Sequence, residues 1–145
     1  MDIRRFYNEV VTDHNMHPLH KHPIENPDYD LAGVNPSCGD EIAVQIKVKD
    51  GVITDASFSG DGCAVSQSSA DIMVDMIIGK TISEAKHLSE LFIKMIKGSV
   101  SESELGELRE AGALADVSHM PARVKCAVLG WHTLEEMIKA IESNS

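Results

Sequence analysis

The sequence predicts an α+β domain, a small antiparallel sheet with helices packed on one side of it. Three observations carry this. Ile42, Val44, Ile46 and Val48 alternate with Ala43, Gln45, Lys47 and Lys49, the period of a half-buried strand. Asp50-Gly51 follows, a strong hairpin signal, and residues 52–59 return as the partner strand. Everything after Cys63 then reads as helix. Strands grouped before helices make an α+β sandwich rather than an alternating α/β fold.

Each element has its own signal. Asp2 caps a first helix running to about Thr12, with Ile3, Phe6, Tyr7 and Val10 at helical spacing. Residues 13–23 hold two prolines and four histidines, which predicts a loop or extended arm without a fixed ligand geometry. A short strand is expected near Leu31 to Val34. In the returning strand, strict alternation places Ile53, Asp55, Ser57 and Ser59 on one side and Val52, Thr54, Ala56 and Phe58 on the other.

A helix from about Ala64 to Ile78 carries Val65, Ile72, Met73 and Met76 as its apolar stripe. Ser66, Ser68, Ser69 and Ala70 are small and permit close approach of a neighbour. Thr81-Ile82-Ser83-Glu84 is a capping box opening the next helix, with a second start at Ser89 splitting it in two. Lys94, Lys97 and Gly98 end that run. Residues 99–120 are acidic and Ser-rich, and predict a short helix over Glu102 to Ala111 followed by a surface loop. Pro121 opens a long last helix, at the position proline favours. Its apolar stripe is Ala127, Gly130, Trp131, Leu134, Met137, Ile138 and Ile141.

The 145 residues suffice for one domain with a real core, and no repeat or linker divides them. The net charge of −10 argues against nucleic acid and anionic membrane surfaces as partners. No apolar run is long enough to span a bilayer. Met1-Asp2-Ile3-Arg4-Arg5 leads straight into an amphipathic pattern rather than a secretory leader, which predicts a cytoplasmic protein. Three cysteines, an odd number in a reducing compartment, suit metal ligation or thiol chemistry better than a disulfide framework.

The chemistry gathers at the ends of the hairpin. Phe58-Ser59-Gly60-Asp61-Gly62-Cys63 ends a strand, turns on two glycines and starts a helix at a cysteine. A helix N-terminus, with its unpaired N–H groups and partial positive charge, favours a thiolate. Asn35-Pro36-Ser37-Cys38-Gly39-Asp40 lies just before the first hairpin strand, with Cys38 and Asp40 two residues apart. In an antiparallel pair the entry of the first strand and the exit of the second are neighbours, so Cys38, Asp40 and Cys63 converge by topology. Cys126 falls near the start of the last helix, with Arg123 on the same face, placed to favour the Cys126 thiolate or to pair with Asp40. Three thiolates and a carboxylate suit tetrahedral zinc, and the same set suits an iron–sulfur cluster. Each cysteine alone also has a plainer reading as core filling, Cys126 above all, and Asp40 as a strand-end cap.

These three segments, closing with Arg123-Val124-Lys125-Cys126, resemble the cysteine motifs of the IscU/SufU family of iron–sulfur cluster assembly proteins. The resemblance covers nearly the whole chain, Asp13-His14 and Pro18 included. Within the family the chain looks like the SufU branch. Residues 99–120 are similar to the SufU-type insertion, and Lys125 stands where IscU scaffolds carry histidine. The chaperone-docking motif of IscU is replaced by Met120-Pro121-Ala122-Arg123-Val124-Lys125.

The resemblance implies zinc held by Cys38, Asp40, Cys63 and Cys126, and a sulfurtransferase that accepts persulfide sulfur from a pyridoxal-phosphate cysteine desulfurase. The family's acceptor position is Cys38, which is also the one cysteine predicted on a loop and so able to leave a metal and reach a partner. The expected mechanism is ligand exchange: a desulfurase group replaces Cys38 on zinc and frees its thiolate to attack the persulfide. Arg123 would hold Asp40 or steady the thiolate charge. A downstream cluster assembly scaffold would receive the sulfur. Two rivals use the same residues: a scaffold that builds and hands on a [2Fe–2S] cluster, and a structural zinc module without sulfur chemistry.

Overall fold

In the computed structural model the described residues are 3–36 and 39–143, with the side chains of 3–8 left aside. The order is α1 (Ile3–Met16), β1 (Tyr29–Asn35), β2 (Asp40–Lys49), β3 (Val52–Asp61), α2 (Ala64–Ile77), α3 (Ile82–Ile96), α4 (Glu102–Glu107), a 3-10 segment (Arg109–His119) and α5 (Pro121–Ser143). The strands form one antiparallel sheet in the order β1-β2-β3, and the helices pack on one face of it. The predicted α+β class is the observed one.

Period two does the positioning. Ile42, Val44 and Ile46 point into the core at 0% exposure, and Asp40, in step with them, is carried inward at the strand's first residue. The hairpin turns through Asp50 (φ 53°) and Gly51 (φ 77°), both left-handed as a type I′ turn requires. The expected alternation in β3 fails at one place. The register slips between Lys47 and Val48, so Lys47 faces Asp55 while Val48 faces Ile53. That bulge turns Ile53 onto the same buried side as Ala56 and Phe58.

Three further expectations need correction. The first helix does not stop near Thr12. It runs on to Met16 and takes in His14, expected in the arm. Ser89 does not restart α3, because its hydroxyl donates to the Lys86 carbonyl inside an unbroken helix. The short helix expected over Glu102 to Ala111 ends at Glu107, and a 3-10 helix over Arg109–His119 stands where a surface loop is expected. Leu108, Ala111, Leu114 and Val117 are all fully buried. Their spacing of three is the 3-10 period, which stacks i and i+3 on one face. The α-helix ends before it because Arg109 sits at φ 49°, a left-handed conformation costing a non-glycine residue about 1 kcal/mol or more.

The capping box of α3 is formed, Thr81 Oγ accepting from Glu84 N at 3.1 Å and Glu84 Oε1 accepting from Thr81 N at 3.0 Å. The buried face of α2 is broader than the expected stripe, because Ser66, Ser68, Ser69 and Ala70 are also buried. Those small residues let α5 come close: a Cβ added to Gly130 would lie 3.5 Å from the Ala70 Cβ. Trp131 stacks on Phe92 at 4.4 Å, and its Nε1 donates to Ser69 Oγ, which donates to the Ala127 carbonyl. This close α2–α5 contact brings the starts of the two helices together.

A second buried polar cluster ties the N-terminal segment down. His14, 4% exposed, donates from Nδ1 to Asp71 Oδ2 at 2.6 Å and from Nε2 to Glu110 Oε1 at 2.7 Å. Asp71 Oδ1 also accepts from the backbone N–H groups of Leu19 and His20. Both ring nitrogens face acceptors, so the ring is the charged imidazolium. Burial pushes its pKa down, but the bonds to Asp71 and Glu110 and their charges outweigh that, and the net shift is up from 6.5. A raised folded-state value means that the stabilisation is complete below about pH 6.5, the unfolded value, and is lost as pH rises through the folded one. Urea midpoints measured from pH 6 upward are expected to decline across that window, and His14→Gln is expected to flatten the decline. An equal decline in the variant would assign the effect to other groups.

Candidate metal centre

Asp40, Cys63 and Cys126 meet at one point. One ligand atom from each lies within 4.8 Å of the others, and this is the only such group of three or more found among the described residues. Each arrives by a separate route. Asp40 is the first residue of β2 and is 3% exposed. Cys63 is the N-cap of α2, directly after β3. Cys126 lies in the second turn of α5 and is 1% exposed.

The hairpin closes around Asp40. Its Oδ1 accepts from the Cys63 backbone N–H at 3.1 Å, and its Oδ2 lies 3.8 Å from Cys63 Sγ. The two glycines of the turn are needed here. A Cβ at Gly60 would run into the Glu41 backbone carbonyl. A Cβ at Gly62 would strike Ser66 Oγ and come within 3.1 Å of the Asp40 carboxylate. Gln67 Nε2 donates to the Gly62 carbonyl at 2.9 Å and fixes the turn from α2.

Arg123 completes the electrostatics. Its pKa is raised above the ordinary guanidinium value, first by the charge of Cys63, then by a hydrogen bond to Cys126 and the Cys126 charge. One guanidinium therefore faces both sulfurs. Arg123 is exposed at the open side, while the Cys126 end is closed. Cys38 lies outside the described residues, between Asn35 and Gly39, whose backbone groups bond at 2.9 Å.

The donor set fits a thiophilic divalent metal. Two sulfurs and a carboxylate oxygen suit zinc, whose bond lengths of about 2.0–2.3 Å put neighbouring ligands within roughly 4 Å of each other. A thiol ligates such a metal as its thiolate, and the α2 N-terminus and Arg123 place positive charge beside the sulfurs.

A candidate metal centre of two cysteines and a carboxylate at one end of a small α+β sandwich is the class that this geometry defines. The chain matches the NifU-like N-terminal domain family over residues 6–145. It is 38% identical over 141 residues to the iron–sulfur cluster assembly scaffold protein IscU of Thermotoga maritima, covering 97% of this chain and 98% of that one. It is 35% identical over 144 residues to the zinc-dependent sulfurtransferase SufU of Bacillus subtilis, covering 99% and 97%. A crystal structure from Fervidobacterium islandicum, described as an iron–sulfur cluster assembly scaffold protein for the SUF system, superposes with a TM-score of 0.82 at 35% identity, over 93% of this chain and 98% of that one. This chain belongs to the IscU/SufU family of iron–sulfur cluster assembly proteins. No helix among the described residues is long and apolar enough to cross a membrane.

Proposed function

We propose that this protein is a zinc-dependent sulfurtransferase. It takes persulfide sulfur from a pyridoxal-phosphate cysteine desulfurase and passes it to a downstream cluster assembly scaffold in the cytoplasm. The observation that carries this reading is the convergence of Asp40, Cys63 and Cys126 within 4.8 Å. The near full-length similarity to a protein named as a zinc-dependent sulfurtransferase supports it.

Asp40, Cys63 and Cys126 hold the metal, with Cys38 as the fourth ligand. Zinc, when bound, supplies a redox-silent Lewis acid that keeps thiols deprotonated. Cys38 is the acceptor. Its thiolate attacks the outer sulfur of the desulfurase persulfide. A sulfur–sulfur bond forms to Cys38, the bond to the desulfurase cysteine breaks, and that cysteine leaves as a thiolate. Arg123 steadies the negative charge at Cys63 and Cys126 while Cys38 is engaged elsewhere. Residues 99–120 form the SufU-type insertion, folded into the same core.

The test is alanine release by a paired desulfurase, with and without the zinc-loaded protein, in the presence of a small-molecule thiol reductant. The expected rise is about tenfold, roughly 1.4 kcal/mol in barrier. Cys38→Ala is expected to abolish the rise while retaining part of the zinc. Full stimulation by Cys38→Ala would end the assignment of the acceptor. No stimulation by the wild type would favour a second reading, that of a [2Fe–2S] scaffold, which the 38% identity to a scaffold protein supports.

A further inference from the structure

A cleft remote from the metal centre runs between the start of α3 and the segment formed by α4 and the 3-10 helix. It has two adjoining lobes of about 610 and 280 Å3. Four residues line both lobes: Lys80, Leu88, Glu107 and Arg109.

The charges in this cleft are not balanced alike. Its acids are already engaged. Glu84 closes the Thr81 capping box, Glu107 holds His87 at 3.1 Å, Glu110 accepts from His14, and Asp75 accepts from His20 at 2.9 Å. The two full cations differ. Among the described residues neither Lys80 nor Arg109 makes an ion pair or a side-chain hydrogen bond, and Lys80 acts on Glu84 only through space. Arg109 also holds a left-handed backbone at φ 49°, so this position keeps a cation where glycine would sit without strain. Ser83 and Ser103 add hydroxyls to the wall of the larger lobe.

We propose that this cleft binds a small phosphorylated organic molecule, with its phosphate monoester on Lys80 and Arg109 and its organic body against Leu88. A phosphate monoester carries a charge near −1.5 to −2 at neutral pH and three strong acceptor oxygens. That matches two cations and two hydroxyls better than a single carboxylate does. Arginine binds such groups through paired N–H donors, and lysine adds a point charge. The overall charge of −10 opposes an anion at long range, but it is screened beyond about 8 Å at physiological salt. Within that range the wall carboxylates of Asp75, Glu84, Glu107 and Glu110 also oppose an anion, so binding rests on direct contact with Lys80 and Arg109.

The experiment is an NMR titration of the full-length 15N-labelled protein with phenyl phosphate at constant ionic strength. Saturable shifts are expected in the amides of residues 80–88 and 103–110, with a Kd on the order of a millimolar. Arg109→Gln and Lys80→Met are each expected to weaken binding about tenfold. Arg109→Gly removes the same charge in a residue suited to the backbone there, so the loss is readable even if Arg109→Gln unfolds. Lys139→Met, a distant surface lysine paired with Glu136, is expected to leave binding unchanged. Benzoate is expected to bind roughly threefold or more weaker, having half the charge. Three outcomes would overturn the proposal: no saturation, equal weakening by Lys139→Met, or benzoate binding as tightly as phenyl phosphate.

Discussion

Asp71→Ala is expected to cost about 3–5 kcal/mol of folding stability, the usual result of removing one partner from a buried charge pair. The side chain is 0% exposed and serves three donors: His14 Nδ1 at 2.6 Å, Leu19 N at 2.9 Å and His20 N at 2.8 Å. Alanine would leave a buried imidazolium facing Glu110 alone, and two backbone N–H groups without their acceptor. Against a typical total of about 5–15 kcal/mol, that is a large fraction. Asp71→Asn keeps an oxygen for the two amides and loses only the charge, so it is expected to cost roughly half as much. Urea denaturation of both variants, fitted with a common slope, reads the difference. A loss under about 1 kcal/mol for Asp71→Ala would mean that the cluster adds little to holding the N-terminal segment.

This cluster was invisible in the sequence for a physical reason. His14, Asp71 and Glu110 are separated by 57 and 96 positions from His14, and no local pattern pairs residues so far apart. His14 stands among prolines and other histidines, which read as a loop, yet helix α1 extends over it because Asp71 and Glu110 repay its burial. One signal was present. Asp71 lies between Ala70 and Ile72 on the most apolar stretch of α2, where an aspartate needs a buried partner. The 3-10 helix over Arg109–His119 is hidden in another way. The acidic and serine-rich surface of residues 99–120 hides Leu108, Ala111, Leu114 and Val117, whose spacing of three belongs to neither the strand nor the α-helix period.

The candidate metal centre is far more legible in the sequence, and topology is why. An antiparallel hairpin must bring the entry of β2 beside the exit of β3, so Asp40 and Cys63 meet whatever the details of the loops. Cys126 needed a tertiary argument. It arrives because Ser69, Ala70 and Gly130 let α2 and α5 touch, a closeness that small residues permit but that no pattern states. The bulge at Lys47/Val48 has no signature in the sequence, because nothing in Val52-Ile53-Thr54 distinguishes a strict alternation from one with an extra residue.

Cys63→Ser is expected to separate metal binding from folding. Cys63 occupies the N-cap of α2 with φ −73° and ψ 170°, and its side chain makes no capping hydrogen bond. Serine is among the best N-cap residues, and alanine among the poor ones, the difference being about 0.5–2 kcal/mol. The metal-free serine variant is therefore expected to match or exceed the metal-free wild type in stability by up to about 1 kcal/mol. Its zinc affinity should move the other way. Structural zinc sites are worth about 10–16 kcal/mol, or roughly 2.5–4 per ligand over four ligands, so losing one thiolate predicts a drop of about two to three decades. Competition against a chromophoric chelator gives the affinity, and urea melts after chelation give the stability. A chain that keeps a thiol where a hydroxyl would cap the helix better has given up stability for chemistry at that atom. Unchanged zinc affinity in Cys63→Ser would remove Cys63 from the ligand set. A large loss of metal-free stability would instead make its thiol a packing group, and the case for a metal centre would then rest on Asp40 and Cys126 alone.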